Sequence, residues 1–164
     1  MTEKLTGQVV RLRSVAASDR DRVVEMRRTP EVARWWRGVN LVADFDEALI
    51  DGLTQFVLES PDGSVVGLLQ CSEEPDPEYR HASLDILIDP AHHRQGYATD
   101  ALRTVIEYLR TQGHHRVTID PSVDNSAAIA CYRNVGFEPV GVMRAYERQS
   151  DRSWTDGLLM DLII

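Results

Sequence analysis

Cysteine is scarce in this 164-residue chain, where Cys71 and Cys131 stand far apart and in no Cys-x-x-Cys pattern. That excludes a disulfide framework and the common zinc spacings, and it fits a reducing compartment. The five histidines occur as His81 and the adjacent pairs His92-His93 and His114-His115, none at helical i, i+4 spacing, so no metal is expected. No segment approaches the roughly 18 apolar residues of a membrane span, and residues 1–7 lack the apolar run of a signal peptide. The expectation is a soluble, cytoplasmic protein without membrane association. Basic residues are outnumbered, 18 Lys and Arg against 26 Asp and Glu, for a net charge of −8. Neutralising phosphates takes clustered cations, so nucleic acid is excluded as a partner, while a cationic substrate is suited. The same charge also serves plain solubility. Neither Gly-x-x-x-x-Gly-Lys-Ser/Thr nor Gly-x-Gly-x-x-Gly is present, which removes the two commonest phosphate loops. Repeats, linkers and low-complexity tracts are missing as well. With 43% hydrophobic and 27% charged residues, residues 1–164 read as one globular domain.

Periodicity supplies the elements. Residues 9–13 alternate as a first strand, 17–28 read as a charged helix opened by Ser18 or Asp19, and Thr29-Pro30 breaks it. A second helix is expected over 44–52, with Phe45, Ala48 and Leu49 on one side. Residues 55–59 and 64–72 form a hairpin around Pro61-Asp62-Gly63, whose backbone preferences suit a turn. The acidic stretch 73–78 carries two prolines and reads as a surface loop. In the strand 81–88, Leu84, Ile86 and Ile88 share one face while Ser83, Asp85 and Leu87 share the other. Residues 99–112 repeat apolar positions at helical spacing and 116–119 return as a strand, a unit whose crossover is right-handed and whose strands are parallel. Strands over 139–147 and 153–162 close the sheet.

The segment 88–98, Ile-Asp-Pro-Ala-His-His-Arg-Gln-Gly-Tyr-Ala, is the most informative. A strand ends, small residues follow, and a helix begins. The first turn of a helix carries unpaired N–H groups and partial positive charge, and small residues let a phosphate approach both. A second informative segment runs from Thr118 to Glu138: Asp124 or Asn125 can cap a helix, Ala128, Ile129 and Tyr132 share a face, and Gly136 ends it.

The first segment resembles the coenzyme A loop of the GCN5-related N-acetyltransferases, Arg/Gln-x-x-Gly-x-Gly/Ala, with His93, Gly96 and Ala98 in register. The second is similar to the same family's later signature, an asparagine opening a helix, a tyrosine seven residues on and then Gly-Phe. The resemblance implies an α/β (α+β) fold with a mixed, mostly antiparallel sheet, splayed central parallel strands and flanking helices. It implies acetyl-coenzyme A as co-substrate, its pyrophosphate on the loop of Arg94, Gln95, Gly96, Tyr97, Ala98 and Thr99. The thioester arm would lie in the splay against Ile86, Leu87 and Ile88, with Asn125 and Ala128 also at the cofactor. Where the family has arginine or glutamine this chain has His93, so either the imidazole is protonated by the phosphate or Arg94 and the backbone supply the charge.

Acetyl transfer to an amine needs a fixed donor, a neutral nucleophile, a stabilised oxyanion and a proton for the departing thiolate. Tyr132 matches the family's proton donor, although a packed aromatic on an amphipathic helix has the same pattern. Asp85 interrupts an apolar strand and is a candidate base, directly or through water; the plain alternative is a solvent-facing aspartate. Asp120 ends the next strand and either binds a cation or caps a turn. Cys131 offers a covalent route, but no histidine is placed to activate it.

The helix signature, Asp85 and the segment Trp35-Trp36-x-Gly look most like the aminoglycoside 6'-N-acetyltransferases, which implies a cationic small-molecule amine held by Trp35, Trp36, Asp85 and Asp120; simple packing also explains the tryptophans. The closing residues 154–160 resemble a strand shared with acetyltransferases of protein N-termini, so a protein N-terminus, peptide or polyamine amine is the alternative. A coenzyme A-binding sensor without turnover is a third reading. Monomer and homodimer both stay open.

Overall fold

The computed structural model describes residues 4–50 and 53–164. Its elements are β1 (Lys4–Thr6), β2 (Arg11–Ser14), α1 (Arg20–Arg28), α2 (Pro30–Ala33), α3 (Leu41–Ile50), β3 (Thr54–Glu59), β4 (Val65–Glu74), β5 (His81–Ile88), α4 (Tyr97–Thr111), β6 (Arg116–Ile119), α5 (Ser126–Val135), β7 (Glu138–Arg148) and β8 (Trp154–Ile163). They build one eight-stranded mixed sheet in the order β1-β2-β3-β4-β5-β6-β8-β7. Only β5 and β6 are parallel, and they pair at just two positions, Ala82 with Val117 and Ser83 with Thr118. From Leu84 onward β5 has no partner on that side, so the two strands diverge.

Each face of the sheet buries its own core. On one face α4 and α5 cover Leu84, Val117 and Phe137; α4 inserts Ala101, Leu102, Val105, Ile106 and Leu109, at the spacing that marks its apolar stripe. Burying each of its larger side chains contributes roughly 1.5–3 kcal/mol. On the other face α1 and α3 set Val23, Met26 and Phe45 against Val57, Leu68 and Leu87. The alternation expected along β5 is realised, since Leu84 and Leu87 fall in different cores.

Several boundaries differ from the sequence expectations, each for a local reason. The first strand is two short ones around a turn, because the Asp100 carboxylate accepts from the N–H groups of Gln8, Val9 and Val10 at 3.0, 2.8 and 3.0 Å and pulls that backbone out of the sheet. The helix expected from residue 17 opens as a single 3-10 turn over Ala17–Asp19, where buried Asp19 binds Arg13 through both oxygens. The next helix begins at Leu41 rather than 44, since the Asn40 side chain accepts from Ala43 N–H as an N-terminal cap; its expected end at Gly52 lies outside the described residues. β4 runs two residues further than expected, to Glu74. Among the described residues no helix is long and apolar enough to cross a membrane.

Candidate active site

The gap between β5 and β6 is a window through the sheet, and the strand register decides what faces it. Asp89 N–H donates to Val66 O at 2.8 Å, and the antiparallel alternation then turns Leu87 and Asp85 N–H toward β4. Ile86 and Ile88 therefore direct their backbone groups into the window. This corrects one expectation: Leu87 offers no N–H there, and its side chain belongs to the second core. Ile88 C=O is already taken by the His93 ring Nε2 at 3.0 Å, so among the described residues Ile88 N–H and both groups of Ile86 are the backbone that the edge turns into the window.

That bond turns the His93 ring back onto the end of β5, and the exposed Arg94 is the cation of the loop. Arg94 adopts a left-handed conformation, φ 60°, and Gly96 follows at φ 81°. Around Gly96 an added Cβ would meet nothing within 4 Å, which leaves room for a ligand to touch the main chain. The first intrahelical bond of α4 runs from Asp100 N–H to Gly96 O at 3.0 Å, so the N–H groups of Tyr97, Ala98 and Thr99 have no helical acceptor. With Arg94 and Gln95 exposed beside them, these donors fit a diphosphate. The Tyr97 ring itself is buried in the first core, so it serves the loop as an anchor and contributes its N–H.

Beneath the loop sits Asp89, 8% exposed, which accepts from Ala91 N–H at 3.1 Å and pairs with Arg22 of α1. Arg22 holds its carboxyl below the usual carboxylate range, and this cation offsets a negative charge that would otherwise oppose an anion.

On the far side of the window, α5 begins at Asn125, whose side chain accepts from Ala128 N–H at 3.2 Å; of the two candidate caps the structure uses this one. Thr99 Oγ1 lies 3.6 Å from Cys131 Sγ and links the start of α4 to the middle of α5. The next residue, Tyr132, is buried, with its ring edge-on to Phe137 at 6.2 Å. Burial, with smaller pushes from Cys131, Asp85 and Asp120, holds its hydroxyl well above the usual phenol range. Tyr132 therefore keeps its proton at any physiological pH.

Asp85 and Asp120 lie on the opposite face, that of α1–α3, because each follows the inward alternation of its strand: Ser83 and Thr118, their neighbours two residues back, hydrogen-bond each other at 2.8 Å. Asp85 is exposed by area, yet the protein around its carboxyl still costs it hydration. Desolvation and the Asp120 charge push its pKa up to about 6. Such a carboxylate is ionised at neutral pH and still basic enough to take a proton.

One functional candidate escaped the sequence reading. The Tyr146 hydroxyl donates to Asp120 Oδ2, and this bond pushes the phenol up to about 12. Two extra residues in β7 between Met143 and Glu147, with Ala145 at φ 48°, turn Tyr146 toward β6. Gly157 on β8 makes room for the ring, since a Cβ there would stand 2.7 Å from Tyr146 Cδ1. A partner 26 residues away, reached through a bulge, leaves no periodic trace in the sequence.

The tryptophans are less available than expected. Trp36 packs against the second core, and Arg34 stacks on Trp35 at 4.5 Å from the ring centre.

The arrangement as a whole has an anion cradle at the start of α4, free backbone along one side of a window, a protonated phenol behind it and two carboxylates in front. Comparison with known proteins agrees with that chemistry. The acetyltransferase (GNAT) domain family matches residues 10–138. The N-alpha-acetyltransferase RimI of Mycobacterium tuberculosis is 31% identical over 109 residues, covering 66% of this chain and 67% of that protein. Human N-acetyltransferase 8 is 34% identical over 89 residues, covering 52% of this chain and only 39% of its own length. Among solved structures, Mycobacterium smegmatis RimJ in complex with CoA-disulfide superposes with a TM-score of 0.82 at 22% identity, covering 99% of this chain and 86% of that one, a likeness of fold.

Proposed function

The chain belongs to the acetyltransferase (GNAT) family, and from that premise we propose that it is an acyl-CoA-dependent N-acetyltransferase whose acceptor is the α-amine of a protein or peptide N-terminus. The single observation that carries the chemistry is the window with Asp85 on one face and Tyr132 on the other: a proton is taken from the acceptor on one side and returned on the other.

The residues divide the work by position. Arg94, Gln95 and the N–H groups of Tyr97, Ala98 and Thr99 hold the diphosphate of acetyl-coenzyme A, which supplies the activated acetyl group. Ile86 and Ile88 align its arm along the edge of β5, and Ile88 N–H is placed to meet the acetyl oxygen. Asp120, fixed by Tyr146, attracts the acceptor ammonium. Asp85 removes its proton, giving the neutral amine that attacks directly in a ternary complex. Tyr132 donates the proton from Oη to the departing sulfur, a transfer the raised phenol pKa restricts to the moment when charge develops there.

Support for a protein α-amine comes from the relative named for that activity, RimI. Of the features that suggested an aminoglycoside, the aromatic wall is the one that Trp36, packed against the second core, and Trp35, under Arg34, leave incomplete. Incubation with acetyl-coenzyme A and matched panels of N-terminal peptides, polyamines and aminoglycosides, followed by thiol release, tests the proposal. Release is expected with peptides; release with aminoglycosides or polyamines alone would overturn the acceptor assignment, and binding without release on any amine would indicate a sensor.

A further inference from the structure

The segment between α2 and α3 does more than join two helices. Its start lies over the β3–β5 half of the sheet, where Trp36 packs on the second core. Its Arg37 reaches the opposite half: Nη2 is 2.5 Å from Glu147 Oε1 on β7, and Nη1 donates to Gln149 Oε1 at 2.5 Å. In the strand order β6 and β8 lie between β5 and β7. The Arg37 side chain therefore reaches from the α1 side of the sheet toward β7, and its contact there is one residue from Tyr146, the partner of Asp120.

The span is anchored at its base. Arg27 of α1, 8% exposed, donates from Nη2 to Arg37 O at 3.0 Å and faces Asp44 Oδ2 at 3.4 Å. Gly38 lies close against this pair: a Cβ would stand 2.2 Å from Asp44 Oδ2 and 2.7 Å from Arg27 Nη2, so those side-chain ends would have to shift. The Arg37 backbone is thus held at α1 while its guanidinium reaches Glu147. The Arg37 and Glu147 side chains are 23% and 37% exposed, and ion pairs so placed contribute little to stability. The geometry of this pair is better explained by what it encloses.

We propose that Arg37 is a specificity-determining residue: paired with Glu147 it closes a strap across the acceptor side of the window, and the amine must pass beneath it, so that a slender primary amine reaches Asp85 and one branched beside the nitrogen is turned away. The inference rests on the acetyltransferase reading of the window and deepens it by naming which acceptors fit.

The test compares kcat/KM for two tetrapeptides of equal charge that differ only in the first residue, glycine or isoleucine, in the full-length protein and in Arg37→Ala, Glu147→Ala and the exchanged pair R37E/E147R. The unaltered protein is expected to favour the glycine peptide by at least about tenfold, within the range that a few methylenes supply in a shaped site. Either alanine variant should bring the ratio near unity by gaining on the isoleucine peptide, and the exchanged pair should restore most of it. A ratio that stays the same in Arg37→Ala, or rates that fall alike for both peptides in every variant, would overturn the strap, since a simple staple predicts the latter. Should an alanine variant fail to fold, the exchanged pair decides alone: loss of the preference in a folded exchange protein would refute it. If neither peptide is acetylated by the unaltered protein, the acceptor assignment fails, and the same ratio taken with n-butylamine against tert-butylamine tests the strap separately.

Discussion

In the proposed mechanism Asp85 is the residue in which function and stability oppose each other. Its carboxyl releases its proton near pH 6 in the folded protein, against about 3.9 in an unfolded chain. Folding therefore favours the protonated form: the stabilisation is complete below the unfolded value and is lost as pH rises through 6. Catalysis runs the other way, because only the carboxylate accepts a proton, so kcat/KM should climb through a limb centred near 6. Asp85→Asn is expected to remove that limb along with most activity, and at pH 7 to raise Tm, because a neutral amide no longer faces Asp120. Rate profiles and thermal unfolding from pH 5 to 8 check both. Tyr132→Phe should lower kcat about a hundredfold, in line with loss of a general acid, and leave KM for acetyl-coenzyme A nearly unchanged. A kcat within twofold of the original would move the proton donor elsewhere, with Tyr146 the next phenol to replace.

The loop joining β5 to α4 is the element that the proposed function makes responsible for donor binding, and Gly96 sets its shape. At φ 81° an alanine costs about 1–2 kcal/mol in backbone strain, while its Cβ meets no protein atom and projects into the space reserved for the diphosphate. Gly96→Ala should therefore raise KM for acetyl-coenzyme A about tenfold or more, with a fall in Tm of only a few degrees. Titration calorimetry with coenzyme A would read this directly; unchanged affinity would displace the anion site from the helix start. This element was legible in the sequence because every signal in it is local: strand alternation to Ile88, glycine before a helix, and a periodic stripe after it. β5 and β6 fall within the expected residues for the same reason, as does the Asn125 cap. What stayed hidden is long in range. Tyr146 reaches Asp120 through a bulge, Arg37 reaches Glu147 across 110 residues, and the choice of Ile86 and Ile88 over Leu87 depends on which neighbour β5 pairs with. Periodicity reports which face a side chain takes, and says nothing of which edge a backbone group takes.

At the scale of the whole molecule the −8 charge acts on the two substrates with opposite sign. In the proposed mechanism both cleft carboxylates, Asp85 and Asp120, add to a field that draws a cationic acceptor inward, whereas acetyl-coenzyme A approaches as an anion and is favoured only at short range, by Arg94 and the α4 N–H groups. Salt screens the long-range part first, because the Debye length shrinks to about 8 Å at physiological ionic strength while contacts within the cradle are shorter than that. Raising ionic strength should thus lower kcat/KM for a charged acceptor by several-fold at saturating donor, and leave kcat/KM for acetyl-coenzyme A level or higher at saturating acceptor. A neutral isostere of the acceptor, if turned over, should show no such fall. Steady-state rates between low salt and about 0.3 M, below the range where salt perturbs hydrophobic packing, separate the two slopes. If both fell together, the field argument would fail and the acidic composition would be left with solubility as its purpose. If the acceptor slope persisted unchanged in Asp120→Asn, attraction would reside in the wider surface and not in the Asp120 carboxylate.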